Sequence, residues 1–412
     1  NALREQMTHL KNFSDGTDGI DVLSLADDDA SAAIKIQAPS AVTTTTTLTL
    51  PDGDGDAGAM LQTNGSGQLA WSTAYRNRNL ILNGSQIIAQ RGVSETGITS
   101  GGSYRNAPDR FRFGLSSAGT WTVSQDSDAP VGFANSYKLN CTTADASLSA
   151  GDYIELLTGL EGQDLQQLEK GTSSAKAVTL SFWCKSNKTG TYIVNIQDTD
   201  NGRTIAKSYT VSIANTWEYK SLSFVGDTSG ALDNDNAQSL RVKWWFAAGS
   251  TYTGGTLATS WQSNTAANYA VGQVNLADST DNYFNITGVQ LELGEQATPF
   301  EHRSYGEELA LCQRYYQTMA RGAMGGAYSS TQWIGGGNFN TPMRATPTAS
   351  QPSGVATVHD PSTATYAQSS TNITATYAST TGSTFILGNL SGMNAFRPMS
   401  LFGGQIDFSA EL

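Results

Sequence analysis

Charge is the scarcest commodity in this chain. Asp, Glu, Lys and Arg together make up 15% of it, against roughly 25% in an ordinary soluble domain. Ser, Thr, Asn and Gly fill the gap and give the neutral, turn-rich surface of all-β extracellular proteins. The little charge present is mostly acidic, with 24 Lys and Arg against 36 Asp and Glu, a net of −12. Nucleic-acid binding needs basic patches that displace counterions, and none occurs. The same sign disfavours anionic membrane surfaces. No apolar run approaches the ~18 residues of a membrane span, so no membrane insertion is expected.

Cysteine and histidine are as sparse. Cys141, Cys184 and Cys312 are far apart with no C-x-x-C, and an odd number cannot form a complete disulfide framework. Buried free thiols are expected, with a Cys141–Cys184 bridge as the alternative. His9, His302 and His359 are scattered, none with a second ligand at metal spacing. No G-x-S-x-G elbow is present. Neither a metal nor a cofactor is expected. No signal-peptide pattern opens the chain, and it starts at Asn1 rather than Met. Processing and a longer parent chain are both consistent with that.

The 412 residues suffice for about two or three domains. Residues 1–75 read as a low-complexity stem. "LREQMTHLKNF" has helical spacing, while "IDVLSLADDDASAAIKIQAP" and "SAVTTTTTLTLP" alternate like strands. One chain buries little with these, so a thin core shared by three chains, a homotrimer, is expected. "LPDGDGDAGAMLQTNGSGQLAW" places Asn64–Gly65 between two short strands. Its Asp52, Asp54 and Asp56 suggest calcium, but Ala57 and Thr63 stand where an EF-hand loop needs Gly and Glu.

Residues 76–303 read as one jelly-roll β-sandwich, with strand patterns in "NLILNG", "AVTLSFWCKS", "GTYIVNIQD", "AKSYTVSI", "EYKSLSFVGD", "SLRVKWWFAAG" and "YFNITGVQLELG". Asp200–Asn201–Gly202 marks a hairpin turn. "LEGQDLQQLEKG" reads as a polar surface helix. Residues 304–320 form a connector: Ser304 with Glu307 is a capping-box signature, and a helix over 305–319 would put Leu309, Cys312 and Tyr316 on one face. Residues 321–412, Gly-rich and nearly uncharged, read as a small C-terminal β-domain forming the distal tip.

"RNLILNGSQIIAQRG", "AVTLSFWCKSNKTGTYIV", "DTSGALDNDNAQSLRVKWWFAAGS" and "ITGVQLELGEQATPFEHRSYGEELALCQRYY" resemble tail-fibre-like bacteriophage virion proteins, often from phages of marine bacteria. The similarity covers about residues 40–320. It implies a sandwich resembling carbohydrate-binding modules, carried on an elongated, usually trimeric fibre on a phage tail or other external appendage. The implied partners are tail or capsid proteins at the N-terminal region, and a host-surface glycan or outer-membrane receptor. The expected function is non-enzymatic host recognition during adsorption. The alternatives are a capsid-attached head fibre, a structural tail connector and a polysaccharide depolymerase.

A depolymerase needs two carboxylates roughly 5–10 Å apart in a sugar cleft. Asp198, Asp200, Asp233, Asp235, Asp278 and Asp281 all sit in Asn/Gly-rich turns and read as solvated, or as loops for a structural Ca²⁺. Aromatics offer the better binding surface, because sugar rings stack on them. Trp183 and Trp244 read as core, and Trp245 faces away from Trp244. The expected ligand-binding residues are Tyr328, Trp333, Asn338 and Phe339 in the tip, with Trp261 in an exposed loop.

Overall fold

The computed structural model describes residues 22–26, 33–37, 48–52, 59–63, 68–73, 78–101, 105–319, 323–351, 356–359, 367–370, 372–390, 393 and 396–412. The chain divides into two compact units, Asn1–Thr73 and Ala74–Leu412. In the first, β1 (Val22–Ala26) pairs antiparallel with β2 (Ala33–Gln37), and β3 (Ala59–Thr63) with β4 (Leu69–Thr73). The expected strands "AMLQT" and "QLAW" thus form a hairpin. The helix expected before residue 14, and Asp54 and Asp56, lie outside the described residues.

The second unit is all-β and begins with a jelly-roll sandwich. Its strands are β5 (Ser94–Ile98), β6 (Arg112–Ser116), β7 (Thr120–Asp126), β8 (Ser136–Thr143), β9 (Tyr153–Glu161), β10 (Val178–Ser186), β11 (Gly190–Asp198), β12 (Arg203–Val211), β13 (Glu218–Phe224), β14 (Gln238–Ala248), β15 (Gln262–Ser263) and β16 (Tyr283–Leu293). They form two sheets of six, ordered β13-β10-β16-β8-β7-β5 and β15-β12-β11-β14-β9-β6. Side chains alternate across a strand, so Val242, Trp244 and Phe246 of β14 enter the core between the sheets beside Phe111, Phe182 and Tyr192. Each such side chain buries about 150–250 Å², which makes the aromatics the main apolar contribution.

β16 changes parity midway. Phe284 and Ile286 face the core, and so do Val289 and Leu291. An extra residue absorbs the switch, and the β10–β16 register shifts between Ser181 and Trp183. Gly288 sits at this bulge with φ +61°, and a Cβ there would lie 2.7 Å from Phe133. Both the left-handed backbone and the space demand glycine.

Three expectations are corrected within the sandwich. "NLILNG" forms turns rather than a strand; the Asn79 side chain bridges to the Leu291 and Val289 backbone in place of a ladder. "LEGQDLQQLEKG" contains two 3₁₀ turns, Gly162–Asp164 and Gln166–Leu168, instead of a surface helix. Leu165 and Leu168 are three apart and both enter the core, the spacing that eclipses in a 3₁₀ turn. Trp183 is half-buried on the outer face of its sheet, 5.3 Å from Tyr219, because its neighbours Phe182 and Cys184 take the core side.

Helix α1 (Tyr305–Gln313) starts with the full capping box: Ser304 and Glu307 bond reciprocally. It ends six residues earlier than expected. Tyr316–Met319, rich in strand-favouring side chains, leaves as β17 and pairs with the strand Ile406–Ser409. The helix buries Glu308 and Cys312 rather than Leu309, because Glu308 accepts the Asn83 N–H and pairs with Arg303 at 3.5 Å.

The C-terminal β-domain has a three-stranded sheet of Tyr316–Met319, Ile406–Ser409 and Thr348–Ser350. It packs with a seven-stranded sheet running through Ala367–Ser370, Ala356–His359, Pro398–Gly403, Met324–Ala327, Trp333–Asn338, Gly382–Gly388 and Asn372–Ala378. Their shared core centres on Trp333, Phe385 and Phe408.

Candidate functional site

The five expected binding residues do not form one site. Trp333 is fully buried in the C-terminal core, its ring 5.6 Å from Phe385, so it stacks on protein and not on ligand. Phe339 packs edge-on against Phe408 at 5.0 Å. Tyr328 is exposed. Asn338 and the free edge of Phe339 line a shallow groove of about 400 Å³ with Gln317, Met319, Met324 and Asn340. Trp261 is half-buried on the edge of the sandwich core, donating its indole N–H to the Val225 carbonyl at 2.8 Å under the Lys170 ammonium.

The acidic turns are largely committed to structure. Lys170 Nζ is buried among Asp198, Asp227 (3.1 Å) and the carbonyls of Ser229 (3.0 Å) and Gly230 (2.8 Å). An oxygen cage of the kind a calcium ion favours is thus filled by the chain's own ammonium. Asp200 accepts the Asp233 N–H, and Asp278 pairs with Lys188. Cys141, Cys184 and Cys312 are free and buried, with no bridge. Burial raises the Cys141 thiol to about 11 and the Cys184 thiol to about 12, where neither is a nucleophile at neutral pH. His302 packs against Phe133 and Phe300.

The sequence reading missed the outer face of the sheet containing β14. Because Val242 and Trp244 point inward, Arg241, Lys243 and Trp245 point outward. Register places Gln197 and Asn195 of β11 opposite Arg241 and Lys243, and Gly159 and Leu157 of β9 on their other side. Arg112 of β6 lies beyond Leu157. One end of this face is covered by the segment 249–275, where Ala258 and Ala270 close over Trp245, Ile193 and Ala206. The other end meets the C-terminal β-domain: Arg314 holds Glu161 through two bonds of 2.8 and 2.6 Å, and Leu412 abuts Gly159.

Between these walls lies a strip with an aromatic end and a cationic end. At the aromatic end, half-buried Tyr153 and Tyr252 meet edge to face at 5.6 Å. The Trp245 ring lies 5.2 Å from Tyr252 and 6.2 Å from Tyr269. Trp245 itself is buried, its indole N–H bonded to Asn195 at 3.1 Å. It serves as the floor, and the tyrosines present partly open rings. The Lys243 ammonium sits 4.7 Å over the Trp245 ring and pairs with Glu155.

At the cationic end, Arg241 Nε donates to Gln197 Oε1 at 2.7 Å. Gln197 is fully buried, and its Nε2 has no hydrogen-bond partner among the described residues. Arg112, half-buried, has no hydrogen-bonding or ion-pair partner among them either. Burial lowers the Arg112 pKa, and Arg241 repels it while Glu155 attracts it. Burial likewise lowers Lys243, again with Arg241 and Arg112 opposing Glu155. Arg112 and Lys243 thus share one carboxylate, and Arg241 repels both.

No family model and no curated protein matches the chain. Among solved structures it is similar to the enzymatically active domain of tailspike protein 4 of bacteriophage CBA120, with 14% identity over 53% of this chain and 22% of that one, at a TM-score of 0.28. It is also similar to a putative sugar binding protein from Bacteroides thetaiotaomicron, with 12% identity over 52% of this chain and 100% of that one, TM-score 0.28. A third is TmCBM61, solved with beta-1,4-galactotriose, at 10% identity over 53% and 100%, TM-score 0.26.

Proposed function

We propose that the second unit is a non-enzymatic glycan-recognition module, and that the chain belongs to an external virion appendage which reads a host-surface glycan during adsorption. The observation that carries the binding reading is the strip on the β14 sheet. It combines partly open Tyr153, Tyr252 and Tyr269 rings with side-chain donors that the protein does not use. Sugar rings offer apolar faces to the first and oxygen acceptors to the second. Pocket-type recognition of this kind pairs an apolar floor with a few placed polar groups.

The virion reading rests on the resemblance of the sandwich and connector motifs to phage fibres. Homotrimerisation through residues 1–75 belongs to the same proposal, with attachment to tail or capsid proteins there. Three copies would raise the avidity of weak single sites by roughly 10²–10⁴. The groove at Asn338 and Phe339 is a second reading for receptor contact, favoured by its size and its position in the C-terminal β-domain.

Binding is tested by titrating the whole protein with neutral and acidic oligosaccharides and repeating the titration with Tyr252→Ala. Saturable binding that weakens in the variant supports the module. The virion assignment is tested by immunogold labelling of particles, and label absent from purified virions would contradict it. A native mass near that of a monomer would contradict the trimer.

A further inference from the structure

We infer that the ligand of the β14-sheet strip is an anionic glycan, one whose sugar units carry carboxylate or sulfate groups; this rests on the glycan-recognition reading above. The cationic end is built almost entirely of donors. Arg112 and Lys243 share one carboxylate, Glu155, which is already taken by Lys243, and Arg241 has only the Gln197 amide oxygen. The buried Gln197 Nε2 adds an unmatched donor beside Arg241. Gln197 Nε2 is closed to solvent, so the donors open to a ligand are those of the half-buried Arg112 and Arg241. A neutral sugar hydroxyl would leave their excess positive charge uncompensated.

An anionic group between Arg112 and Arg241 satisfies both. Guanidinium presents a planar fork that matches carboxylate and sulfate oxygens. The chain's net charge of −12 opposes such binding, but only weakly at physiological salt. At physiological salt, charges more than about 8 Å away are largely screened, so the local excess of cations decides.

The test uses the whole protein and three hexasaccharides of galactose type: the neutral form, the galacturonate and a sulfated form. Titration calorimetry is run at low salt and at high salt. The expected result is that one or both acidic oligomers bind at least tenfold more tightly than the neutral one, and that high salt erodes the difference. Arg241→Gln and Arg112→Gln should each weaken the acidic oligomer about tenfold, equivalent to about 1.4 kcal/mol, and leave the neutral one unchanged. Tyr252→Ala should weaken every oligomer that binds. Preference for galacturonate over the sulfated form, or the reverse, assigns the acid group. Equal binding of neutral and acidic forms, indifferent to both arginine changes, overturns the anionic inference and leaves glycan recognition standing. Binding of none of the three overturns both. Unchanged melting temperatures in the arginine variants would separate lost binding from lost fold.

Discussion

The sandwich and the C-terminal β-domain are both small-strand β-structures, yet they hold themselves together differently. Sandwich strands run to nine and eleven residues, as in β9, β14 and β16, and bury Trp121, Trp244, Tyr192 and several phenylalanines between two wide sheets. The C-terminal strands run from three to seven residues. Three successive glycines occupy one of them, Trp333–Asn338, and the core rests on Trp333, Phe385 and Phe408.

That domain gains support from its partner. Glu411 enters the sandwich and is held by Arg91 at 3.0 Å, Arg105 at 3.2 Å and Arg110. The Arg110 and Arg91 guanidiniums also lie 3.3 and 3.7 Å over the Tyr315 and Tyr316 rings. Arg344 ties the Ala410 and Glu411 carbonyls to Asn236 of the sandwich. One unit is stabilised from within, the other substantially by the charged contacts across its border.

The comparison breaks most sharply at the two core tryptophans. Trp244→Ala should cost about 3–5 kcal/mol and abolish the folded sandwich together with everything docked on it. Trp333→Ala, of similar chemical size, should melt the C-terminal β-domain and leave a folded sandwich. Calorimetry with limited proteolysis reads both, and simultaneous loss of both regions in Trp333→Ala would refute their separate support.

Lys170→Met should come next, at about 3–5 kcal/mol, because it strands the buried Asp198 carboxylate without its cation, while Asp227 keeps Arg203. The loss should appear in the sandwich transition alone.

Acid should act on the border. The three arginines hold the Glu411 carboxyl at about 2, below its ordinary 4.5. A carboxylate whose folded pKa is depressed contributes stability above the unfolded value and loses it as pH falls through the folded one. The border should therefore weaken between about pH 4.5 and pH 2, by on the order of 3 kcal/mol in all. Protease sensitivity of residues 323–412 should rise in that window before the sandwich opens, and Glu411→Gln should show the sensitivity already at neutral pH. The smallest effect is expected at the connector. Ser304→Ala removes the helix cap and should cost about 1 kcal/mol, measured as a lower melting temperature with binding intact.

The sandwich was legible because its strands alternate cleanly. The Ser304–Glu307 cap was equally plain, since both partners lie within one turn. What stayed hidden depends on contacts distant in sequence. The end of α1 is set by strand pairing of Tyr316 with Ser409, 93 positions away. The partnership of Glu411 with Arg91, Arg105 and Arg110 leaves no local pattern either.

The site was half legible. Trp245 was correctly assigned to the face opposite Trp244, but the alternation that put it there also placed Arg241 and Lys243 beside it. A charge at every second position next to a tryptophan, in a chain so poor in charge, was the signal to follow. Trp333 misled because its glycine neighbours suggested an open loop. Those glycines instead make room for its ring: a Cβ at Gly335 would lie 2.3 Å from it.

We propose that recognition takes place on the β14 sheet and not at the C-terminal groove. A crystal structure of the full chain soaked with an acidic hexasaccharide tests it most directly. Sugar density is expected over Tyr153 and Tyr252, with an acid group between Arg112 and Arg241. Sugar density confined to the groove at Asn338 and Phe339, with the β14 strip bare, would contradict it.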